Sequence, residues 1–156
     1  MDMTLIIRNI LKGAKNLHVT GNILNPFSKI CMHFLRWMYM DILIILYDYG
    51  PNQNKYYTYE RYQDILDEIL RTVIAKGRGI ELNTGGFHYG LGEPNPCRAV
   101  IRRYRELGGE IITVGADAHG PEKIAYDFDK AAAILADCGF KYYTVFQNRK
   151  PEFVKL

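Results

Sequence analysis

Apolar and polar positions fall into an orderly pattern only in the later part of the chain. "DILIILY", from Asp41 to Tyr47, is a continuous apolar run and predicts a buried strand. Pro51 and Asn52 mark "YGPNQNKYYT" as a loop. In "YERYQDILDEILRTVIAKG", Tyr62, Ile65, Leu66, Ile69, Leu70 and Val73 recur at helical spacing. That stretch predicts an amphipathic helix with Thr58 as its N-cap and Gly77 at its C-terminal cap. "GIELN" predicts a short strand, and "TGGFHYGLGEPNP" a long glycine-rich loop. "CRAVIRRYRELGG" predicts a helix with Val100, Ile101 and Tyr104 on one face, and "EIITVGA" a further strand. Pro121 suits a first helical turn, and the helix after it runs towards Phe140. "YYTVF" and "PEFVKL" predict closing strands.

The order β-α-β-α-β-α-β predicts an α/β fold with parallel strands joined by right-handed helical crossovers. Residues 1–40 show no clean periodicity beyond a short helix near Leu5–Leu11. The chain thus divides into an irregular, unpatterned leader over 1–40 and an α/β portion over 41–156. Internal repeats and low-complexity runs are absent from it.

Composition narrows the class. Of the 156 residues, 48% are hydrophobic and 24% charged, which suits a globular domain with a real core. A net charge of +3 is too mild to indicate a nucleic-acid partner. The apolar run from Met40 to Tyr47 falls short of the roughly 20 residues a bilayer span takes. Neither a signal-peptide layout nor a CxxC pair occurs, and Cys31, Cys97 and Cys138 are odd in number. A reduced, cytoplasmic chain is the expectation.

The chemistry gathers at "TVGADAHGPE". In α/β folds, function collects at the carboxyl ends of the strands. Asp117 and His119 stand two apart there, and on an extended backbone such side chains share a side. A carboxylate and an imidazole so placed suit Zn, Mn or Fe. Ala116 and Ala118 leave room around them, and Gly115 admits a close backbone approach. The same residues would equally make a turn capped by Asp117 with His119 as a polar loop residue. At the end of the "GIELN" strand, Glu81 and Asn83 share a face by the same rule, and Thr84, Gly85 and Gly86 offer backbone N–H groups to a phosphate. His88 could reach an anion. The plainer alternative is a strand-end glutamate and a glycine turn. His18 and His33 fall in the unpatterned leader and are expected to do no chemistry. Arg102, Arg103 and Arg105 predict a solvated helix face, and Cys138 a buried helix position.

Several stretches together resemble a known family. "YGPNQNKYYTYERYQDILDEIL", "GIELNTGGFHYGLGEPNP", "RYRELGGEIITVGADAH" and "GFKYYTVFQNRKPEFVKL" are similar to the C-terminal half of histidinol-phosphatases of the PHP (polymerase and histidinol phosphatase) superfamily. The resemblance runs from about Tyr49 to Leu156. It implies part of a distorted (β/α)7 barrel with clustered divalent metal ions at the strand ends. It also implies hydrolysis of L-histidinol phosphate to L-histidinol and phosphate in histidine biosynthesis. Asp117 and His119 match the family's Asp-x-His metal motif. By the same resemblance, Glu81 and Asn83 are expected behind the metal ligands or close to the substrate, and Asn83 and His88 are the candidates to steady its phosphate.

The departures shape the expectation. The family's His-x-His strand has no counterpart here. Ile42 stands where a family histidine belongs, Asp48 where an arginine belongs, and His88 where an arginine is frequent. Residues 1–40 do not resemble the family's N-terminal half. The reading is a truncated or frame-disrupted histidinol-phosphatase with an incomplete ligand set and impaired activity alone. Its uncovered strand edges predict self-association or pairing with a separate N-terminal half. A non-catalytic remnant or interaction module, and another PHP-type phosphoesterase, are the alternatives.

Overall fold

A computed structural model describes residues 59–156 of the chain. The helix near Leu5–Leu11, the strand over 41–47, the loop after it, the Thr58 cap, Cys31, His18, His33, Ile42 and Asp48 lie outside the described residues. So does the boundary between the leader and the α/β portion.

The first helix, α1 (Gln63–Ala75), comes after a single 3-10 turn at Glu60–Tyr62. Leu66, Ile69, Leu70 and Val73 are its buried stripe, as their spacing predicts, while Tyr62 at its start is exposed. Glu60 and Asp64 carry negative charge at the N-terminal end, where the helix dipole favours it. Beyond Lys76 the chain turns at Gly77 with φ +62°, and the Arg78 N–H donates back to the Val73 carbonyl. Such a left-handed closure is free of Cβ strain only in glycine.

Strand β1 (Ile80–Asn83) leads into a short helix, α2 (Gly85–His88), where the sequence predicted only loop. A loop then reaches α3 (Arg98–Glu106), which returns the chain to β2 (Ile112–Gly115). The strands β1 and β2 pair in parallel, Ile80 with Ile112 through Asn83 with Gly115. A parallel pair requires a crossover connection, which here is helical. Ile80, Leu82, Ile101, Tyr104 and Ile112 fill the layer between this pair and its helices. A 3-10 turn at Pro121–Lys123 precedes α4 (Phe128–Asp137), and β3 (Tyr142–Gln147) and β4 (Lys150–Lys155) complete the order.

The last two strands depart from the all-parallel expectation. β3 and β4 are antiparallel, joined at Asn148 and Arg149, both with positive φ. Two left-handed residues in a tight turn match the twist of a hairpin. β3 meets β2 through a side chain: the Ile112 N–H donates to Thr144 Oγ1 at 3.2 Å. The described strands therefore form two two-stranded sheets instead of one continuous parallel array.

The arginine face of α3 is also not simply solvated. Arg103 donates to the buried Asp67 carboxylate on α1, and Arg105 donates to the Gly109 and Gly139 carbonyls. Arg102 is exposed as expected. Cys138 is buried at the end of α4, and its burial pushes the thiol pKa up. No helix among the described residues is long and apolar enough to cross a membrane.

Candidate functional site

The carboxyl ends of β1 and β2 lie side by side because the parallel register pairs Asn83 with Gly115. The segments leaving the two strands therefore meet at one edge of the fold. After β2 come Asp117 and His119; after β1 come Thr84 and α2.

Asp117 and His119 converge. Asp117 Oδ1 stands 3.6 Å from His119 Nε2, with the two side chains 50% and 74% exposed. The cause differs from the sequence expectation. The strand stops at Gly115, and Asp117 takes φ +47°, so the backbone is no longer extended. A left-handed kink, rather than strand alternation, turns the carboxylate towards the imidazole. Two donors at roughly 2.1 Å from one tetrahedral ion stand about 3.4 Å apart, so this pair fits two corners of a metal shell. Among the described residues, no group of three or more His, Cys, Asp or Glu side chains comes together for a metal.

Glu81 and Asn83 also meet as the two-residue rule predicts: Asn83 Nδ2 donates to Glu81 Oε1 at 3.0 Å. Asn83 is buried, and its Oδ1 accepts the Gly85 N–H at 2.8 Å. Both ends of its amide are thus engaged within the protein.

Gly115 admits a side chain rather than a neighbouring backbone. A Cβ there would sit 2.5 Å from Glu81 Oε1. Gly115→Ala is therefore expected to displace the Glu81 carboxylate. Because the obstructing atom ends a flexible side chain, the loss of stability should stay at about 1 kcal/mol. A crystal structure of the variant would show the carboxylate moved, and a denaturant midpoint would give the cost.

The phosphate nest foreseen at Thr84, Gly85 and Gly86 is largely committed elsewhere. The Thr84 N–H donates to the Gly115 carbonyl at 2.8 Å, and the Gly85 N–H goes to Asn83. Gly85 instead serves close packing, since a Cβ there would lie 2.8 Å from Asn83 Oδ1 and 3.4 Å from Asp117 Cβ. His88 is exposed at the end of α2, with its ring edge-on to Tyr89 and Tyr126 at 5.3 and 5.7 Å. Tyr126 joins the site without having been singled out in the sequence, and Thr84 joins it through its side-chain hydroxyl, where the sequence had pointed to its backbone N–H. A threonine just after a strand carries no local signal of burial; its partners come from far along the chain.

No family model matches the chain. It is 31% identical over 94 residues to a probable histidinol-phosphatase of Thermotoga maritima, covering 60% of this chain and 40% of that protein. It is 31% identical over 86 residues to a probable histidinol-phosphatase of Clostridium acetobutylicum, covering 53% and 32%. To the histidinol-phosphatase of Lactococcus lactis subsp. lactis it is 30% identical over 102 residues, covering 65% and 38%. The chain thus spans less than half the length of these curated relatives. A solved structure of histidinol phosphate phosphatase from Lactococcus lactis subsp. lactis, complexed with zinc, L-histidinol and phosphate, aligns with a TM-score of 0.61. That alignment has 20% identity and covers 83% of this chain and 51% of the other, and it shows a shared fold. The similarity to histidinol-phosphatases noted in the sequence is borne out by these relatives.

Proposed function

We propose that this chain carries part of a histidinol-phosphatase-type, metal-dependent phosphomonoester hydrolase site, with L-histidinol phosphate as the substrate class. The observation that carries it is the Asp117–His119 pair at the carboxyl end of β2, 3.6 Å apart and open to solvent. The names of the curated relatives support it.

Asp117 and His119 would hold a divalent ion, one through a carboxylate oxygen and one through Nε2. Such an ion, when bound, screens phosphate oxygens and makes water a better nucleophile. Asn83 orients Glu81 and fixes the start of α2 through the Gly85 N–H. Glu81 supplies negative charge beside the strand end that leads to the pair. His88, exposed on α2, is the described imidazole best placed to meet an anionic group from the solvent side.

A second reading rests on the small donor set. A catalytic zinc takes three protein ligands plus water, and the described residues bring two together. On that reading the chain binds metal weakly and turns over slowly or not at all by itself, acting as a non-catalytic or interaction module.

Zinc titration by calorimetry, with phosphate release from L-histidinol phosphate measured in the same samples, tests both. Asp117→Ala and His119→Ala should each weaken zinc binding by about a hundredfold. Zinc affinity equal to wild type in both variants would refute the metal reading. Metal held through Asp117 and His119 without turnover would support the second one.

A further inference from the structure

The loop that carries Asp117 and His119 is pinned at both ends by one buried residue. It leaves β2 at Gly115 and turns back at Tyr126, just before α4. Thr84, fully buried after β1, reaches both points. Its N–H donates to the Gly115 carbonyl at 2.8 Å. Its hydroxyl lies 2.6 Å from the Tyr126 carbonyl and 3.2 Å from the Gly115 carbonyl. A hydroxyl has one proton, and the shorter bond claims it. One residue therefore closes the neck of the loop, with its amide at the exit and its hydroxyl at the return.

The backbone of the loop and of its return needs holding. Asp117, Ala125 and Asp127 all adopt left-handed φ, at +47°, +56° and +56°. A non-glycine residue there is strained by about 1–3 kcal/mol, and persists where its surroundings fix it. Two of the three flank Tyr126, whose carbonyl takes the Thr84 hydroxyl and whose ring meets His88. The third is the carboxylate of the candidate pair.

We infer that Thr84 is a positioning residue: its hydroxyl closes the loop over residues 116–125 and so sets the approach of Asp117 to His119 and of Tyr126 to His88. The loop closure stands on the hydrogen bonds alone, whereas its effect on metal binding rests on the proposed metal-dependent function.

The test uses the full chain with Thr84→Val, which keeps the amide and the side-chain shape but removes the hydroxyl. Thr84→Ser restores the hydroxyl. The first readout needs no metal. Lys123, Ile124, Tyr126 and Phe128 donate backbone hydrogen bonds within the loop and its return. In Thr84→Val their amides should exchange about tenfold faster relative to core amides such as Leu82 and Ile101, and Thr84→Ser should reverse this. The second readout is zinc affinity, expected to fall about tenfold in Thr84→Val and to recover in Thr84→Ser. Should Thr84→Val fail to fold, Thr84→Ala against Thr84→Ser gives the same comparison.

Unchanged loop exchange in the hydroxyl-free variant would overturn the proposal. So would wild-type zinc affinity in that variant with wild-type zinc binding intact. A wild-type chain that binds no zinc would instead count against the proposed function, and the amide exchange would then decide the role of Thr84 alone.

Discussion

Tyr104→Ala should lower the free energy of unfolding by about 3–5 kcal/mol, the largest single effect expected among the described residues. The ring is almost fully buried on α3, against Gly109, where a Cβ would collide with it. It stacks on Phe140 at 6.4 Å between centroids. Its hydroxyl donates to the Ile111 carbonyl at 3.0 Å, just before β2 begins. The alanine variant would open a cavity at the joint between helix and strand and remove one of two bonds to that carbonyl, which also accepts the Ile80 N–H at 3.1 Å. Tyr104→Phe should cost only about 1 kcal/mol, because the packing survives and one hydrogen bond is lost. Equilibrium urea unfolding of both variants checks the ratio; similar costs would show that the hydroxyl, not the ring, holds the joint. Burial pushes the Tyr104 pKa up to about 12 from 10.0. A raised folded value means the contribution is intact below the unfolded pKa. It is lost as the pH climbs from about 10 towards 12.

Asp67→Ala should come next, with a loss of about 2–3 kcal/mol. Asp67 is a carboxylate on the buried stripe of α1. Arg103 Nε and Nη2 donate to it at 3.0 and 2.6 Å, the Tyr59 hydroxyl at 2.8 Å, and Arg71 at 3.2 Å. The bond from Arg103 is the chief cause that holds its pKa down at about 2, against 3.8 ordinarily. A depressed folded value places this stability above the unfolded pKa. It is lost as the pH falls from about 4 towards 2. The pH-dependent part should be about 1–2 kcal/mol, because Arg103 is 27% exposed and water screens the pair. Acid unfolding of wild type against Asp67→Ala measures it, and parallel pH curves would show that the pair contributes nothing.

Some of this was written in local pattern. The stripe Leu66, Ile69, Leu70 and Val73 gave α1, because burial at helical spacing is a property of neighbours in sequence. Gly77 marked where that helix ends, since a left-handed turn favours glycine wherever it falls. Asp117 and His119 were legible as a pair from residue type and proximity alone.

The rest depended on partners distant in the chain. Nothing beside Asp67 in sequence announces Arg103, which lies on another helix. The antiparallel hairpin of β3 and β4 was missed because alternation in a strand does not encode its neighbour's direction. The Asp117–His119 approach comes from a left-handed kink that the sequence does not mark, in a loop whose neck Thr84 closes from after β1. By itself the sequence determined the longer helices and the strands of the described residues, though not the short helix α2, and which residue types gather at the β2 end, because these arise from local periodicity and chemistry. The tertiary structure decided strand direction, the buried ion pair and the loop closure, because each is an energy between residues that only folding brings together.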